Sequence, residues 1–283
     1  MEIRFSELKF NARQRIFSQG LRFILINAAF FAVLYVMQYL YTRLSGYDVY
    51  ANEYMLALQE YMQTGSASAL ENVALPEVTL FAGILMLLIN IMQSVLNVGY
   101  AGYCLDHSRN APAGFKDIFN GFNYILRIIA INILIYLITL LYMLPGLIIV
   151  IASCMALISG SILLFSLGLT AGAVYVVVAA ARVSLRYSVV FYVMFDNPDM
   201  SAMECLRESK EIMRGRLAQR LALDLSFIAW YFLNGFLSAF FIPVLSIWIN
   251  PYQGITMANY YNRITGFSVP AANPAPGNDP FDN

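Results

Sequence analysis

Apolar runs of about 20 residues recur along this chain, and each is long enough to cross the roughly 30 Å hydrocarbon core of a bilayer as a helix. Hydrophobic residues make up 60% of the 283 residues and charged residues only 12%, against about 25% charged in a typical soluble domain. The runs predict an all-α fold, a polytopic transmembrane helix bundle with about six spans. We predict these spans at residues 21–41, 78–104, 124–142, 162–194, 221–236 and 239–258.

The stretch 124–195 is almost wholly apolar and is the hardest to divide. Leu144-Pro145-Gly146 predicts a helix break, because proline removes a backbone donor, and a kinked extension then follows over 145–160. Two crossings are favoured over four, since four would need spans at the short limit with almost no loops. The GxxxG pattern at Gly168 and Gly172 indicates close helix packing, either within the protein or between copies.

The distribution of charge predicts which ends face the cytoplasm. The connection 43–77 has one basic residue, Arg43, among five acids, so the positive-inside rule places it outside. Its tyrosines recur at helical spacing and predict a helix resting on the outer headgroups, with a ligand-stacking surface as the alternative. Both termini are then cytoplasmic, and the Pro-, Asn- and Gly-rich tail 267–283 is predicted to be disordered.

The first 20 residues predict a cytoplasmic amphipathic helix lying on the inner membrane face. The alternative is a frayed basic tail that only sets topology. The apolar side of the helix consists of Ile3, Leu8, Ala12, Ile16 and Phe17.

A second amphipathic helix is predicted on the cytoplasmic side at residues 200–215, between spans 4 and 5. Asn197-Pro198 ends the helix before it, Ser201 and Glu204 fit a capping box, and Gly215 suits its C-terminus. The basic residues here predict contact with the anionic inner leaflet. A docking site for a cytoplasmic partner or a lipid headgroup is the alternative, with Arg207, Lys210, Arg214, Arg216 and Arg220 as the contact residues.

Polar side chains inside the predicted spans form a candidate intramembrane cluster. Asn90, Gln93 and Asn97 follow one face of a helix, and Asn132 lies in the next span. An unpaired amide in hydrocarbon is costly, so these residues should face other helices, as hydrogen-bonding partners or as part of a substrate path. The one carboxylate in a span, Asp224, is expected to pair with Arg220 or another basic residue of the stretch 182–220, the alternative being a proton- or ion-coupling role.

The motifs of the common intramembrane and nucleotide-dependent enzymes are missing. HExxH, GxSxG and P-loop patterns do not occur, and no CxxC or Cys/His spacing indicates a metal site. The single histidine, His107, is expected to be an exposed loop residue. We therefore predict no enzyme activity, cofactor or metal, and the net charge of zero gives no general attraction to nucleic acid.

Three stretches resemble a bacterial integral-membrane family named domain of unknown function 975, and the similarity covers nearly the whole chain. Its compact members lack the long apolar passage 145–180 and the Pro-rich tail. The resemblance implies a multi-pass protein of the bacterial plasma membrane and brings no catalytic residues. The stretches are 6–9 (SELK); 186–199 (RYSVVFYVMFDNPD) with 206–210 (LRESK); and 225–230 (LSFIAW) with 250–252 (NPY) and 256–261 (TMANYY).

Two functions are compatible with these features. The first is a non-catalytic membrane scaffold, or an accessory subunit of an envelope or transport system that contacts a membrane or cytoplasmic protein. The second is a small-molecule or ion transporter, whose polar residues would line a water-accessible pocket near the middle of the membrane. The absence of an obvious inverted repeat and the single carboxylate favour the first function.

Overall fold

The computed structural model describes residues 4–65, 68–158, 160–238 and 245–267, and within these ranges it is helical with no strand. The chain forms two compact units. The smaller unit is Leu21–Asn97, and the larger comprises Met1–Gly20 and Val98–Asn283. The all-α class predicted from the sequence is confirmed for the described residues.

The first helix, α1 (Phe5–Ser45), bends at Gly20. Gly20 has φ 64° and ψ −154°, a backbone conformation that is essentially restricted to glycine. Residues 5–19, called the N-terminal helix below, belong to the larger unit, whereas the apolar part after the bend belongs to the smaller unit.

The smaller unit continues with α2 (Tyr47–Thr64), the short α3 (Ser68–Glu71) and the first part of α4 (Leu80–Ser108). The rings of Tyr47, Tyr50 and Tyr54 follow one another along α2 with centroids 6.1 Å apart. The helical spacing of these tyrosines is therefore confirmed in the connection between the first two apolar helices.

In the larger unit, a 3₁₀ segment (Phe115–Tyr124) leads into α5 (Ile125–Ile158), which packs against α6 (Ile162–Arg186) as a long hairpin. The helix break expected at 144–146 does not occur, because α5 continues through Pro145. A Cβ atom on Gly172 would lie 3.0 Å from Gly146 O, and one on Gly168 would lie 2.1 Å from Ser153 Oγ. The two glycines of the GxxxG pattern therefore allow α6 to pack closely on α5 within the hairpin.

The C-terminal part of the larger unit consists of shorter helices. They are α7 (Val190–Asp196), α8 (Ala202–Ile212), α9 (Leu217–Leu225), α10 (Ile228–Ser238) and α11 (Ser246–Thr265). The predicted span 162–194 is thus divided between α6 and α7, and the predicted span 221–236 between α9 and α10. Eleven of the 20 residues of α11 are buried, so this helix packs inside the protein.

Four segments are long and apolar enough to cross a membrane: Gly20–Ser45, Leu80–Ser108, Phe115–Ala156 and Ile162–Asp196. They correspond to the first four predicted spans. Of the last two predicted spans, 221–236 does not meet these criteria, and 239–258 includes residues outside the described ranges.

The N-terminal helix packs on protein. Leu8, Ala12 and Ile16 are buried, as expected for the apolar side of an amphipathic helix, but Phe17 is 70% exposed and Ile3 lies outside the described residues. Asn259 Nδ2 donates a hydrogen bond to Leu8 O at 3.2 Å. The apolar side that the sequence assigned to the membrane surface is therefore covered at least partly by the last helix.

Candidate functional site

An ion pair joins the end of α4 to the end of α7. Arg109 lies in the turn after α4, and its NH1 and NH2 groups donate to the two carboxylate oxygens of Asp196 at 2.6 and 2.8 Å. The two side chains are 16% and 26% exposed. A bidentate arginine–carboxylate pair fixes direction as well as distance, so this contact sets how the two helix ends meet.

The last helix adds Tyr261 and Asn262 to this pair. Tyr261 OH donates to Asp196 Oδ2 at 2.9 Å, and Arg109 Nε donates to Asn262 Oδ1 at 2.9 Å. Asn262 Nδ2 in turn donates to Ser108 Oγ at 2.8 Å. Burial and the neighbouring Asp196 carboxylate raise the pKa of Tyr261, which keeps its hydroxyl protonated as a donor.

These residues (Ser108, Arg109, Asp196, Tyr261 and Asn262) are called the Asp196 network below. Tyr192, one helical turn before Asp196, stacks on Tyr261 with centroids 5.2 Å apart, and the Arg109 guanidinium lies 4.1 Å above the Phe267 ring. The ion pair and the side-chain hydrogen bonds to Tyr261 and Asn262 link the end of α4, the end of α7 and α11. The arrangement therefore joins three segments that are far apart in sequence.

A cleft of about 450 Å³ opens beside the network. Its lining includes the carboxylates of Asp196 and Glu208 and the rings of Tyr261 and Phe267. Asp196 already receives the Arg109 and Tyr261 hydrogen bonds, so its carboxylate is committed within the fold. In the described part of the chain, no group of three His, Cys, Asp or Glu side chains is placed as metal ligands would be.

Helix α8 has the capping box that the sequence predicted. Ser201 N donates to Glu204 Oε2 at 2.7 Å, and Glu204 N donates to Ser201 Oγ at 3.4 Å. Hydrogen bonds from the backbone and hydroxyl of Ser201 lower the pKa of Glu204. The helix ends at Ile212, and Gly215 follows with φ 75°.

The predicted basic contact residues fall into two groups. Arg207 and Lys210 are exposed on α8, and Arg214, exposed just after its end, pairs with Glu211 at 3.5 Å. Arg216 donates to Ile212 O at 2.9 Å and to Ile264 O at 3.4 Å, and Arg220 pairs with Asp224 at 2.5 Å. Only the first three are therefore available to a partner, because Arg216 and Arg220 are used inside the fold.

The candidate intramembrane polar cluster is divided between the two units. Asn90, Gln93 and Asn97 belong to the smaller unit and Asn132 and Asp224 to the larger one. Asn90 and Asn97 are exposed, and Asn90 Nδ2 donates to Met86 O of its own helix at 2.8 Å. The expectation that Asn90, Gln93 and Asn97 face other helices stays a prediction. The expected pairing of Asp224 with Arg220 is confirmed.

The expectation that His107 is an exposed loop residue is wrong. His107 lies in the last turn of α4 rather than in a loop, and it is 3% exposed. Its ring packs edge-on against Tyr103 with centroids 4.4 Å apart.

Sequence reasoning missed the Asp196 network, since its ion pair spans 87 positions and its contacts to α11 span between 65 and 154. The available signal was the pair of tyrosine-rich stretches 186–199 and 256–261. Their side chains meet through Tyr192, Asp196 and Tyr261. The stretches 6–9 and 225–230 also meet, since Lys9 Nζ donates a hydrogen bond to Ser226 O at 2.9 Å.

The fold and this site define a protein that is helical throughout its described residues, has four helices long and apolar enough to cross a membrane, and carries a polar network that joins the ends of α4 and α7 to α11. The chain belongs to the family described as protein of unknown function DUF975, whose model matches residues 6–268. No curated protein and no solved structure matches the chain.

Proposed function

We propose that this protein is a non-catalytic multi-pass protein of the bacterial plasma membrane that serves as a scaffold or accessory subunit. The observation that carries the proposal is the internal use of its charged groups. Arg109, Asp196, Arg220 and Asp224 form two ion pairs within the fold. A transport site would instead need such groups to face a water-accessible path.

The distribution of basic residues supports a cytoplasmic position for both termini. Of the 17 lysines and arginines, Arg43 is the only one between Arg22 and Arg109, and the others precede or follow this part of the chain. By the positive-inside rule, the connection around Arg43 is outside, and the N-terminal helix and α8 are inside.

The exposed side of α8 is the proposed contact surface. Its opposite side is buried through Cys205, Leu206 and Ser209, and Ser209 Oγ donates to Arg186 O at 3.2 Å. The helix is thus fixed to the protein while Arg207, Lys210 and Arg214 remain exposed. A fixed basic surface beside the anionic inner leaflet suits an acidic segment of a membrane or cytoplasmic protein.

In vivo photo-crosslinking tests this surface. A photo-reactive residue at Lys210 is expected to give one discrete protein adduct, which is lost when Arg207 and Arg214 are both replaced by Glu. A photo-reactive residue at Glu60, an exposed position of α2, serves as the control and should give no such adduct. Adducts with lipid alone at Lys210 would contradict the scaffold proposal.

Reconstitution tests the competing transport function. Purified protein in proteoliposomes should leave imposed proton and solute gradients as they are in empty vesicles. A flux that the protein creates and that Asp224→Asn abolishes would overturn the proposal.

A further inference from the structure

The N-terminal helix and α11 run side by side in opposite directions. Near one end, Asn259 contacts Leu8, and near the other, the Phe17 ring lies 5.3 Å from the Trp248 ring. Residue numbers fall along one helix as they rise along the other, so the two helices are antiparallel. They therefore lie at the same depth relative to the bilayer over several turns.

The N-terminal helix carries too much charge to lie in hydrocarbon. Lys9, Arg13 and Arg15 follow one another within two turns, and charged side chains at the bilayer centre are costly. Lys9 is fixed beside the N-terminal end of α10, because its Nζ donates a hydrogen bond to Ser226 O and lies 4.4 Å from the centre of the Phe227 ring. Because α11 runs beside these charged residues along most of its length, α11 is not placed to cross the membrane.

The composition and packing of α11 agree with this position. Although its 20 residues would suffice in length, α11 does not meet the criteria for a span and contains Asn250, Gln253 and Arg263. A Cβ atom on Gly254 would lie 2.6 Å from Cys104 Sγ, so α11 also packs closely on the end of α4. Its partners are protein segments on two sides, whereas a span would need apolar surface for lipid.

Helix α10 differs, because it exposes apolar side chains. It runs beside α11 in the opposite direction, since Ser246 Oγ donates to Asn234 Oδ1 at 3.2 Å and the ring of Phe227, just before α10, lies 5.3 Å from the Tyr252 ring. Tyr231, Phe232, Leu233 and Phe236 are exposed. Exposed aromatic and aliphatic side chains at the level of the charged N-terminal helix suit the headgroup–acyl boundary.

We propose that the chain crosses the bilayer four times and that helices α8 to α11 stay on the face that holds the N-terminal helix. In this arrangement α10 is an interfacial helix whose exposed side chains contact the bilayer surface. Helix α11 is the central helix of a polar layer on the same face. The proposal concerns topology alone and holds whether the protein is a scaffold or a transporter.

Fluorescence quenching measures the depth of α10 and α11. The two tryptophans of the chain, Trp230 and Trp248, lie near the middle of the spans predicted at 221–236 and 239–258. Trp248→Phe leaves Trp230 as the sole emitter, and Trp230→Phe leaves Trp248. Each variant is reconstituted in phosphatidylcholine vesicles brominated either near the headgroup or near the methyl end of the acyl chains.

Trp230, which is 38% exposed, is expected to be quenched more strongly by the shallow bromines. Any quenching of Trp248 should show the same order. Stronger quenching of either tryptophan by the deep bromines would place it near the bilayer centre and overturn the proposal.

Cysteine labelling gives the side of the membrane. Gly235 accepts a side chain, because nothing lies within 4 Å of a Cβ atom placed there. Gly235→Cys, in a background without the three native cysteines, is expected to react with a membrane-impermeant maleimide in inverted vesicles and not in intact cells. Reaction in intact cells would overturn the proposal, since six crossings would put residue 235 outside. Asn52→Cys and Lys210→Cys serve as the outer and inner controls.

Discussion

Asp196 shows at the level of one residue why the site is structural. Its Oδ1 receives Arg109 NH1, and its Oδ2 receives both Arg109 NH2 and Tyr261 OH. A carboxylate that accepts several hydrogen bonds from fixed donors is oriented rather than free to react. The same three bonds make Asp196 the point at which α7, α11 and the end of α4 are tied together.

Replacing Asp196 by Asn should loosen this junction. The amide cannot accept both guanidinium bonds as an anion does, so Arg109 keeps a partly buried charge without its counterion. Because both side chains are partly exposed, we expect a loss of about 1–2 kcal/mol rather than the larger cost of a fully buried pair. Thermal unfolding of the protein in detergent measures the loss.

Asp199→Asn is the matched control for this substitution, since Asp199 lies three residues away and is exposed. It should change the unfolding temperature little. Equal effects of the two substitutions would show that the Asp196 network does not contribute to stability.

Glu204 gives a pH dependence to the start of α8. Its pKa is lowered in the folded state by the hydrogen bonds from Ser201, so the unfolded state binds the proton more tightly. The contribution of Glu204 is therefore complete above its ordinary pKa near 4.3 and is lost as the pH falls through the lower folded value. Amide exchange in α8 should accelerate in that acidic range. Glu204→Gln should remove this pH dependence, whereas Glu208→Gln should leave it unchanged.

At the level of secondary-structure elements, glycine determines how closely the 3₁₀ segment approaches α4. A Cβ atom on Gly99 would lie 1.9 Å from Ile118 O, a backbone atom that cannot rotate away. Gly83 lies in the same helix, and nothing lies within 4 Å of a Cβ atom there. The two positions therefore separate the effect of contact from the effect of helix propensity.

Gly99→Ala should destabilise the protein by about 2 kcal/mol or more, because the 3₁₀ segment must move away from α4. Gly83→Ala should be neutral or slightly stabilising, since alanine favours the helix. Unfolding in detergent with circular dichroism measures both variants. A stable Gly99→Ala variant would show that this close approach does not form.

Local patterns were the most predictable elements. The capping box at Ser201 and the Arg220–Asp224 pair involve residues three and four positions apart, so the sequence specifies them directly. The expected break at Pro145 did not occur because neighbouring contacts outweigh the loss of one backbone hydrogen bond. Close packing of Gly146 against α6 supports the helix there, as membrane helices with proline often require.

At the level of the whole molecule, hydropathy predicted the four long apolar segments but not the role of the last helix. The apolar side chains of α11, such as Ile249, Ile255 and Met257, are buried in protein. Composition alone does not distinguish a side chain covered by lipid from one covered by other helices. The Asp196 network was beyond sequence reasoning for the same reason, because its partners come together only when the C-terminal helices pack.

The N-terminal helix should consequently be required for the C-terminal helices to pack. Ala12 is fully buried on its inner side, whereas Gln14, two residues later, is exposed. Ala12→Glu places an unpaired carboxylate and extra volume in that contact, and we expect a loss of about 3 kcal/mol or more. Gln14→Glu introduces the same charge on the exposed side and should be tolerated. Limited proteolysis of membrane vesicles, read out by cleavage around α11, should be accelerated only by Ala12→Glu. If both variants resist proteolysis equally, the helix only directs insertion and does not hold α11 in place.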